Sequence, residues 1–324
     1  MLRQKLMCTL ALCARSEENL MADQGMSEHL LQLFAGAREA LRPLLPKRLR
    51  GDIPVVPVVR LSGIIGFSTP LKPGLTLATL ARPLERAFTM RHARAVALLI
   101  NSPGGSPVQS HLIYRRIRAL AAEHQRPVIA FSEDVAASGG YMVACAADEI
   151  ICDASSIVGS IGVVGGSFGF PKLMDKLGVE RRLYTSGERK ATLDPFLPEK
   201  PEDVEHLKTV QREIHDDFIA LVKNSRGARL TGPEKDLFSG DYWTGRKAVE
   251  LGLADGIGDL RTFLRDRFGD KVRTPLVAAE RSLFGRRVPG VTERGVDEIF
   301  RRADFAEGII SALEARALWA RYGL

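Results

Sequence analysis

The sequence predicts an α/β domain built on a mostly parallel sheet, and three observations lead to that prediction. From residue 53 onward, short runs rich in β-branched residues alternate with stretches of helical periodicity, which is the pattern of βαβ units. A chain of 324 residues is long enough to bury a sizeable core in one large domain or two modest ones. Hydrophobic residues make up 45% and charged residues 26%, so a folded, water-soluble body is expected.

The chain ends are predicted to carry helical extensions. Residues 28–45 show apolar positions at helical spacing, inside a basic N-terminal extension that we place at residues 1–51. That helix is expected either to pack on a neighbouring subunit or to lie on a membrane surface. Leu6 to Ala14 is too short an apolar run to span a bilayer, and the poor cleavage site after it makes export the less favoured expectation. Residues 269–324 predict a loop followed by an amphipathic helix over 296–319.

The α/β core is predicted to span residues 52–268. Its strand candidates are Val55–Leu61, Ala95–Ile100, Val128–Phe131, Glu149–Cys152 and Arg182–Thr185. Its helix candidates are Leu77–Met90, Val108–Glu123, Tyr141–Ala147, Pro171–Leu177 and Pro201–Ser225.

Charge and cysteine usage exclude several classes of function. The net charge of +7 is concentrated at the ends, because residues 1–50 carry 8 Lys+Arg against 5 Asp+Glu, and residues 271–324 carry 10 against 7. A core this balanced does not suggest nucleic-acid binding, although the basic ends could be drawn weakly to anionic lipid. The cysteines are Cys8, Cys13, Cys145 and Cys152, and they form no close CxxC pair. We therefore expect neither a metal site nor a disulfide framework. We also expect no cofactor.

Two glycine-rich segments follow predicted strands. In the first, the strand ends in a turn at Pro103, Gly104 and Gly105, and the pattern of a phosphate-binding loop is absent. In the second, Ser138 stands where a strand gives way to a helix, followed by Gly139. The free N–H groups and the positive dipole end of that helix would stabilise the anion formed in acyl transfer. The alternative for Ser138 is an ordinary helix N-cap.

Four segments in order resemble one family. They are Ser102-Pro103-Gly104-Gly105, Ala137-Ser138-Gly139-Gly140-Tyr141, Gly159-Ser160-Ile161-Gly162-Val163, and Ser186-Gly187 leading to Lys190. A late segment, Trp243-Thr244-Gly245-Arg246, fits the same family. The match is to the signal peptide peptidase A, protease IV and SohB serine peptidases, and it runs from about residue 53 to 268. The resemblance implies a ClpP/crotonase-like fold with a mostly parallel sheet and flanking helices.

The resemblance also implies a role for each residue at the site. Ser138 becomes the nucleophile and Lys190 its general base, with Gly105 and Gly139 as oxyanion N–H donors. Ser160 would orient the base, and Gly104 and Gly140 would contact the substrate. A lysine acts as a base only when neutral, so burial must lower the pKa of such a lysine from about 10.4 toward 7 or 8. The family commonly has an acidic residue after the lysine, whereas Ala191 stands there in this chain.

A second serine satisfies a different motif. Gly165-Gly166-Ser167-Phe168-Gly169 has the G-x-S-x-G form of a nucleophile elbow, and His206 and His215 follow it in the order that a triad requires. Both histidines fall on one long charged helix, where solvated histidines are the ordinary expectation. Ser167 is therefore the weaker candidate.

Three functions remain open on the sequence alone. The favoured one is an endopeptidase that cleaves extended apolar segments, such as remnants of signal peptides or membrane proteins. The resemblance implies a homo-oligomeric ring or dome whose active sites are shared between subunits. Separately, we expect the protein in the cytoplasm or peripheral at the inner face of a membrane. The others are a crotonase-like acyl-CoA enzyme and a non-catalytic oligomeric scaffold.

Overall fold

The structure is a computed structural model that describes residues 53–66, 74–277 and 316–323. The predicted N-terminal extension and most of the C-terminal one lie outside these residues, so that division of the chain stays a prediction. Seven strands are described: β1 (Val58–Ser62), β2 (Val96–Ser102), β3 (Val128–Ala137), β4 (Glu149–Cys152), β5 (Ile157–Gly159), β6 (Tyr242–Thr244) and β7 (Gly256–Ile257). Eight α-helices are described: α1 (Leu77–Phe88), α2 (Pro107–His124), α3 (Gly139–Ala144), α4 (Pro171–Leu177), α5 (Pro201–Arg226), α6 (Glu234–Leu237), α7 (Gly245–Glu250) and α8 (Leu260–Phe268).

The strands form one sheet in the order β1-β2-β3-β4-β7, and all of these neighbours are parallel. The far end of β3 also pairs with β5 in parallel, and β5 pairs with β6 in the antiparallel sense. Parallel strands need crossover connections, which the helices supply. This confirms the predicted α/β class with a mostly parallel sheet and flanking helices.

Helices cover both faces of the sheet, as expected when strands read as continuous apolar runs. The larger core lies under α1, α2 and α3, and it includes Leu84, Phe88 and Ile117. A smaller core on the opposite face gathers residues such as Phe131 around Leu264 of α8. Cys145 and Cys152 are buried and free. Burial raises the pKa of both thiols to about 12.

The predicted strand at Arg182–Thr185 is wrong. The chain there has no regular secondary structure, and residues 179–190 are exposed throughout. A strand needs a neighbour for its backbone hydrogen bonds, and no described segment lies beside this one. The sequence also missed β5 and the continuation of β3 from Ser132 to Ala137.

Among the described residues, no helix is both long and apolar enough to cross a membrane. The same part of the chain contains no cluster of three or more His, Cys, Asp or Glu side chains that could hold a metal ion.

Candidate active site

Ser138 lies at the junction where β3 ends and α3 begins. Its backbone has φ 53° and ψ −124°, a conformation that favours glycine and costs a serine about 1–3 kcal/mol. Its N–H donates to the Gly159 carbonyl at 2.8 Å, which fixes the turn. The side chain is half-buried and makes no capping hydrogen bond to α3. Within the described residues, the hydroxyl therefore does not serve as a helix N-cap.

The Gly104–Gly105 turn lies directly against Ser138. A methyl group added to Gly104 would stand 2.7 Å from the Ser138 Cβ and 2.8 Å from the Gly139 nitrogen. One added to Gly105 would stand 2.1 Å from the Ile65 carbonyl oxygen. Both glycines also have positive φ, at 103° and 141°. Only glycine can bring this turn so close to the serine.

Two backbone N–H groups meet beside Ser138. Gly139 is the first residue of α3, where N–H groups have no acceptor within the helix. A Cβ built on Gly139 would lie 3.5 Å from the Gly105 nitrogen. The Gly105 N–H donates to no described group, and the residue is exposed. Two N–H donors beside a serine hydroxyl are what stabilisation of a tetrahedral oxyanion requires.

The helix that follows Ser138 is held firmly. Gly140 packs on β2, because a methyl group there would come within 2.6 Å of the Ser102 carbonyl oxygen. Gly140 is buried, whereas Gly105 is open to solvent. Tyr141 is fully buried and its hydroxyl donates to the Leu253 carbonyl at 2.8 Å. Burial raises the pKa of this phenol well above its ordinary value, so it stays a neutral donor.

Ser160 is the neighbour of Ser138 in the sheet. Strand β3 pairs with β5 so that Ala137 faces Gly159, and each serine follows one member of that pair. Ser160 also has positive φ, at 52°, and it is buried. Trp243 lies in β6, and its indole ring covers Gly159. A Cβ added to Gly159 would lie 2.7 Å from the ring, which is too close for any residue other than glycine.

Lys190 is exposed on the single chain. It lies in a turn closed by its own N–H, which donates to the Gly187 carbonyl at 3.2 Å. The structure thus brings Ser138, Gly104, Gly105, Gly139, Gly140 and Ser160 together, whereas Lys190 belongs to an exposed segment.

The alternative nucleophile has no comparable surroundings. Ser167 is exposed in a stretch without secondary structure, so no strand leads into it. His206 is exposed, and a ring nitrogen of His215 lies 3.0 Å from the Ile161 carbonyl oxygen. The elements that a nucleophile elbow needs are missing here.

One contact of Ser160 had no signal in the sequence. Tyr322, 162 residues after Ser160, donates its hydroxyl to the Ser160 Oγ at 3.3 Å. The apolar positions of the C-terminal segment predict a helix, but nothing in them indicates what that helix covers.

Comparison with known proteins shows what this chain is similar to. Residues 121–267 match the model of peptidase family S49. The chain is 56% identical over 287 residues to a protein of Brucella abortus named as a Na⁺/H⁺ antiporter, covering 88% of this chain and 39% of that protein. It is 34% identical over 165 residues to a putative protease of Methanocaldococcus jannaschii, covering 51% and 52%. It is 32% identical over 217 residues to the chloroplastic serine protease SPPA of Arabidopsis thaliana, covering 65% and 32%. The chain spans about half or less of the length of these relatives.

Proposed function

We propose that this chain is a serine endopeptidase with Ser138 as nucleophile and Lys190 as general base, and the match of residues 121–267 to the model of peptidase family S49 supports the proposal. The observation that carries the proposal is the junction at Ser138. A serine with no capping role is held in a glycine-like conformation beside the N–H groups of Gly105 and Gly139. One relative is itself named a serine protease, which supports the serine type.

The chemistry follows from these groups. The Ser138 hydroxyl attacks the scissile carbonyl carbon while its proton passes to the neutral Lys190 amine. The N–H groups of Gly105 and Gly139 stabilise the oxyanion that forms. The C–N bond then breaks, and the Lys190 ammonium returns the proton to the leaving amine. Water, deprotonated by the same lysine, hydrolyses the acyl-enzyme.

The proposal includes a homo-oligomer in which Lys190 reaches the Ser138 of a neighbouring subunit. Residues 164–190, which we call the arm, expose large apolar side chains. Those at least half exposed are Val164, Phe168, Leu173, Leu177, Val179 and Tyr184. Exposed apolar side chains gathered on one segment often mark a surface that binds another protein. A second copy packed on the arm would bury that surface and remove water from Lys190 at the same time.

The substrate class we propose is extended, apolar peptide. This class is the one implied by the resemblance of the sequence motifs to the signal peptide peptidase A, protease IV and SohB peptidases. Remnants of signal peptides or membrane proteins are substrates of this chemistry. We also propose a location peripheral to a membrane, and the relative that is named a Na⁺/H⁺ antiporter supports it.

Covalent labelling with a fluorophosphonate tests the serine and the lysine together. The full chain should be labelled at Ser138, and Ser138→Ala should abolish labelling. Lys190→Ala should slow labelling by about 10²- to 10⁴-fold, the usual contribution of a general base. Matched controls are Ser167→Ala and Lys176→Ala, which should label like the unaltered protein. Labelling that survives in Ser138→Ala, or is lost in Ser167→Ala, would refute the assignment.

A further inference from the structure

The C-terminal residues 316–323 return to the strand ends that carry Ser138 and Ser160. Trp319 and Tyr322 pack against β3 and β5, where they contact Val135, Ala137 and Ile157. Ala137 is fully buried and immediately precedes Ser138. The C-terminal segment is therefore part of the wall behind the site.

Tyr322 is held in place on two sides. Its side chain packs edge-to-face against Tyr242, with ring centroids 5.1 Å apart and planes at 73°. The Tyr242 hydroxyl donates to the Arg321 carbonyl at 3.3 Å. Tyr322 is only 9% exposed and Ser160 only 3%, so the hydrogen bond between their hydroxyls is shielded from water. Such a bond is stronger and more directional than one in solvent.

We infer that Tyr322 is a positioning residue for the catalytic lysine, acting through Ser160; the inference rests on the proposed function. A serine hydroxyl has one proton and two acceptor sites. The Tyr322 hydroxyl fills one acceptor site of Ser160 and stops the serine from rotating. The other site remains for an N–H of the Lys190 amine. With that N–H engaged, the lone pair of the amine is left to accept the proton of Ser138.

The ring and the hydroxyl of Tyr322 do different things. The ring covers Val135 and Ala137, which is a packing role that phenylalanine would preserve. The hydroxyl contacts Ser160 and has no part in that packing. Tyr322→Phe therefore separates the positioning role from the structural one.

The experiment compares Tyr322→Phe with Tyr242→Phe in the full chain, using hydrolysis of an apolar peptide and labelling of Ser138. Both changes delete one phenol hydroxyl from the same ring pair, but only Tyr322 touches Ser160. Tyr322→Phe should lower kcat by about threefold to tenfold, the worth of one hydrogen bond, with KM unchanged. Tyr242→Phe should lower kcat less than Tyr322→Phe does, because it keeps the hydroxyl on Ser160 and removes only the hydrogen bond to Arg321. In a Ser160→Ala background, Tyr322→Phe should have no further effect on kcat.

Every other result overturns the inference. If Tyr322→Phe leaves kcat unchanged while labelling of Ser138 still depends on Lys190, the inference about Tyr322 is wrong. The proposed serine–lysine pair would then be unaffected. An equal fall in Tyr242→Phe would mean that only packing matters. A rise in kcat in Tyr322→Phe or on deletion of residues 316–324 would make the segment an inhibitory strap. If the unaltered protein is not labelled at Ser138, the proposed function itself fails and the inference falls with it.

Discussion

Ser138 and Ser160 share an unusual backbone conformation at the ends of two paired strands. Both have φ near +50°, where glycine is the ordinary residue. Such residues cost about 1–3 kcal/mol each and persist only where their surroundings hold them. For Ser138 the surroundings are the Gly159 carbonyl on one side and Gly104 on the other. In this conformation the Ser138 hydroxyl makes no capping hydrogen bond to α3.

At Gly104 a single methyl group should disrupt this arrangement. Gly104→Ala would place its Cβ 2.7 Å from the Ser138 Cβ and should abolish labelling of Ser138. Gly63→Ala is the matched control, because Gly63 has a similar φ of 115° but nothing within 4 Å of an added Cβ. It should lose stability through backbone strain alone and keep labelling. Equal labelling of the two variants would show that the close approach of the turn does not matter.

Helix α3, which begins beside Ser138, is joined to a buried ionic cluster at the end of α5. The side chain of Arg226 is fully buried and forms two hydrogen bonds of 2.8 Å with the Asp255 carboxylate. The Ser225 hydroxyl donates to the Cys145 carbonyl at the C-terminal end of α3, at 2.6 Å. The cluster thus joins α5 to the helix that begins beside Ser138.

Asp255→Asn should destabilise the fold by about 3–5 kcal/mol, because it leaves the buried guanidinium without its counter-charge. Burial pushes the pKa of Asp255 upward, but hydrogen bonds from Arg226 and the Ile150 N–H hold it below its ordinary value of 3.8. A lowered carboxyl pKa means that this stability is present above pH 3.8 and is lost as pH falls through the folded pKa.

Thermal melting between pH 7 and pH 3 measures both effects. Asp255→Asn should have a lower melting temperature at pH 7 than the unaltered protein. Its melting temperature should also fall less when the pH is lowered. Glu250→Gln removes the exposed Lys247–Glu250 pair and should change stability by less than about 0.5 kcal/mol. Parallel acid profiles for Asp255→Asn and the unaltered protein would contradict the account.

The elements with a strong apolar pattern were predictable, and those that depend on partners were not. Strand β4 and helix α4 have the predicted bounds, and α5 differs by one residue. Strand β3 was predicted to end at Phe131, and the charged residues Glu133 and Asp134 follow shortly after that point. In the structure the Arg60 guanidinium donates to the Glu133 carboxylate, and the Asn101 amide donates to the Asp134 carboxylate. Arg60 lies on β1 and Asn101 on β2 of the same sheet, so β3 continues.

The site was predictable to the extent that it is local. Gly139 follows Ser138, and Gly104 precedes Gly105. These glycines indicate a close backbone approach, because a larger residue would not fit there. The contact of Tyr322 with Ser160 joins parts of the chain 162 residues apart, and periodicity carries no information at that range. The surroundings of Lys190 were not predictable either, because an exposed lysine and a lysine buried by another subunit have the same sequence.

At the scale of the whole molecule, the arm exposes apolar side chains that the described residues of one subunit do not cover. Leu173 is 50% exposed and Leu177 65% exposed on α4, a helix with no buried residue. Burying a leucine contributes about 1.5–3 kcal/mol, so several such side chains suffice to hold subunits together.

If the proposed homo-oligomer assembles through the arm, the double variant Leu173→Ser with Leu177→Ser should dissociate it and abolish Ser138 labelling. Light scattering gives the mass, and circular dichroism should show an intact fold because neither side chain belongs to the core. Val108→Ser is the control: Val108 is 64% exposed on α2, outside the arm, and its loss should leave mass and labelling unchanged. An assembly that keeps its mass in the double variant would exclude the arm as the contact.

Subunit complementation tests most directly whether one subunit's lysine serves another's serine. Ser138→Ala and Lys190→Ala proteins, each inactive alone, are dissociated, mixed in equal amounts and reassembled. If each site takes its serine and its lysine from different subunits, about a quarter of the sites in a random mixture regain both groups, as symmetric assembly requires. Peptide hydrolysis should then recover to about that fraction. No recovery in a mixture shown to have exchanged subunits would contradict the shared site.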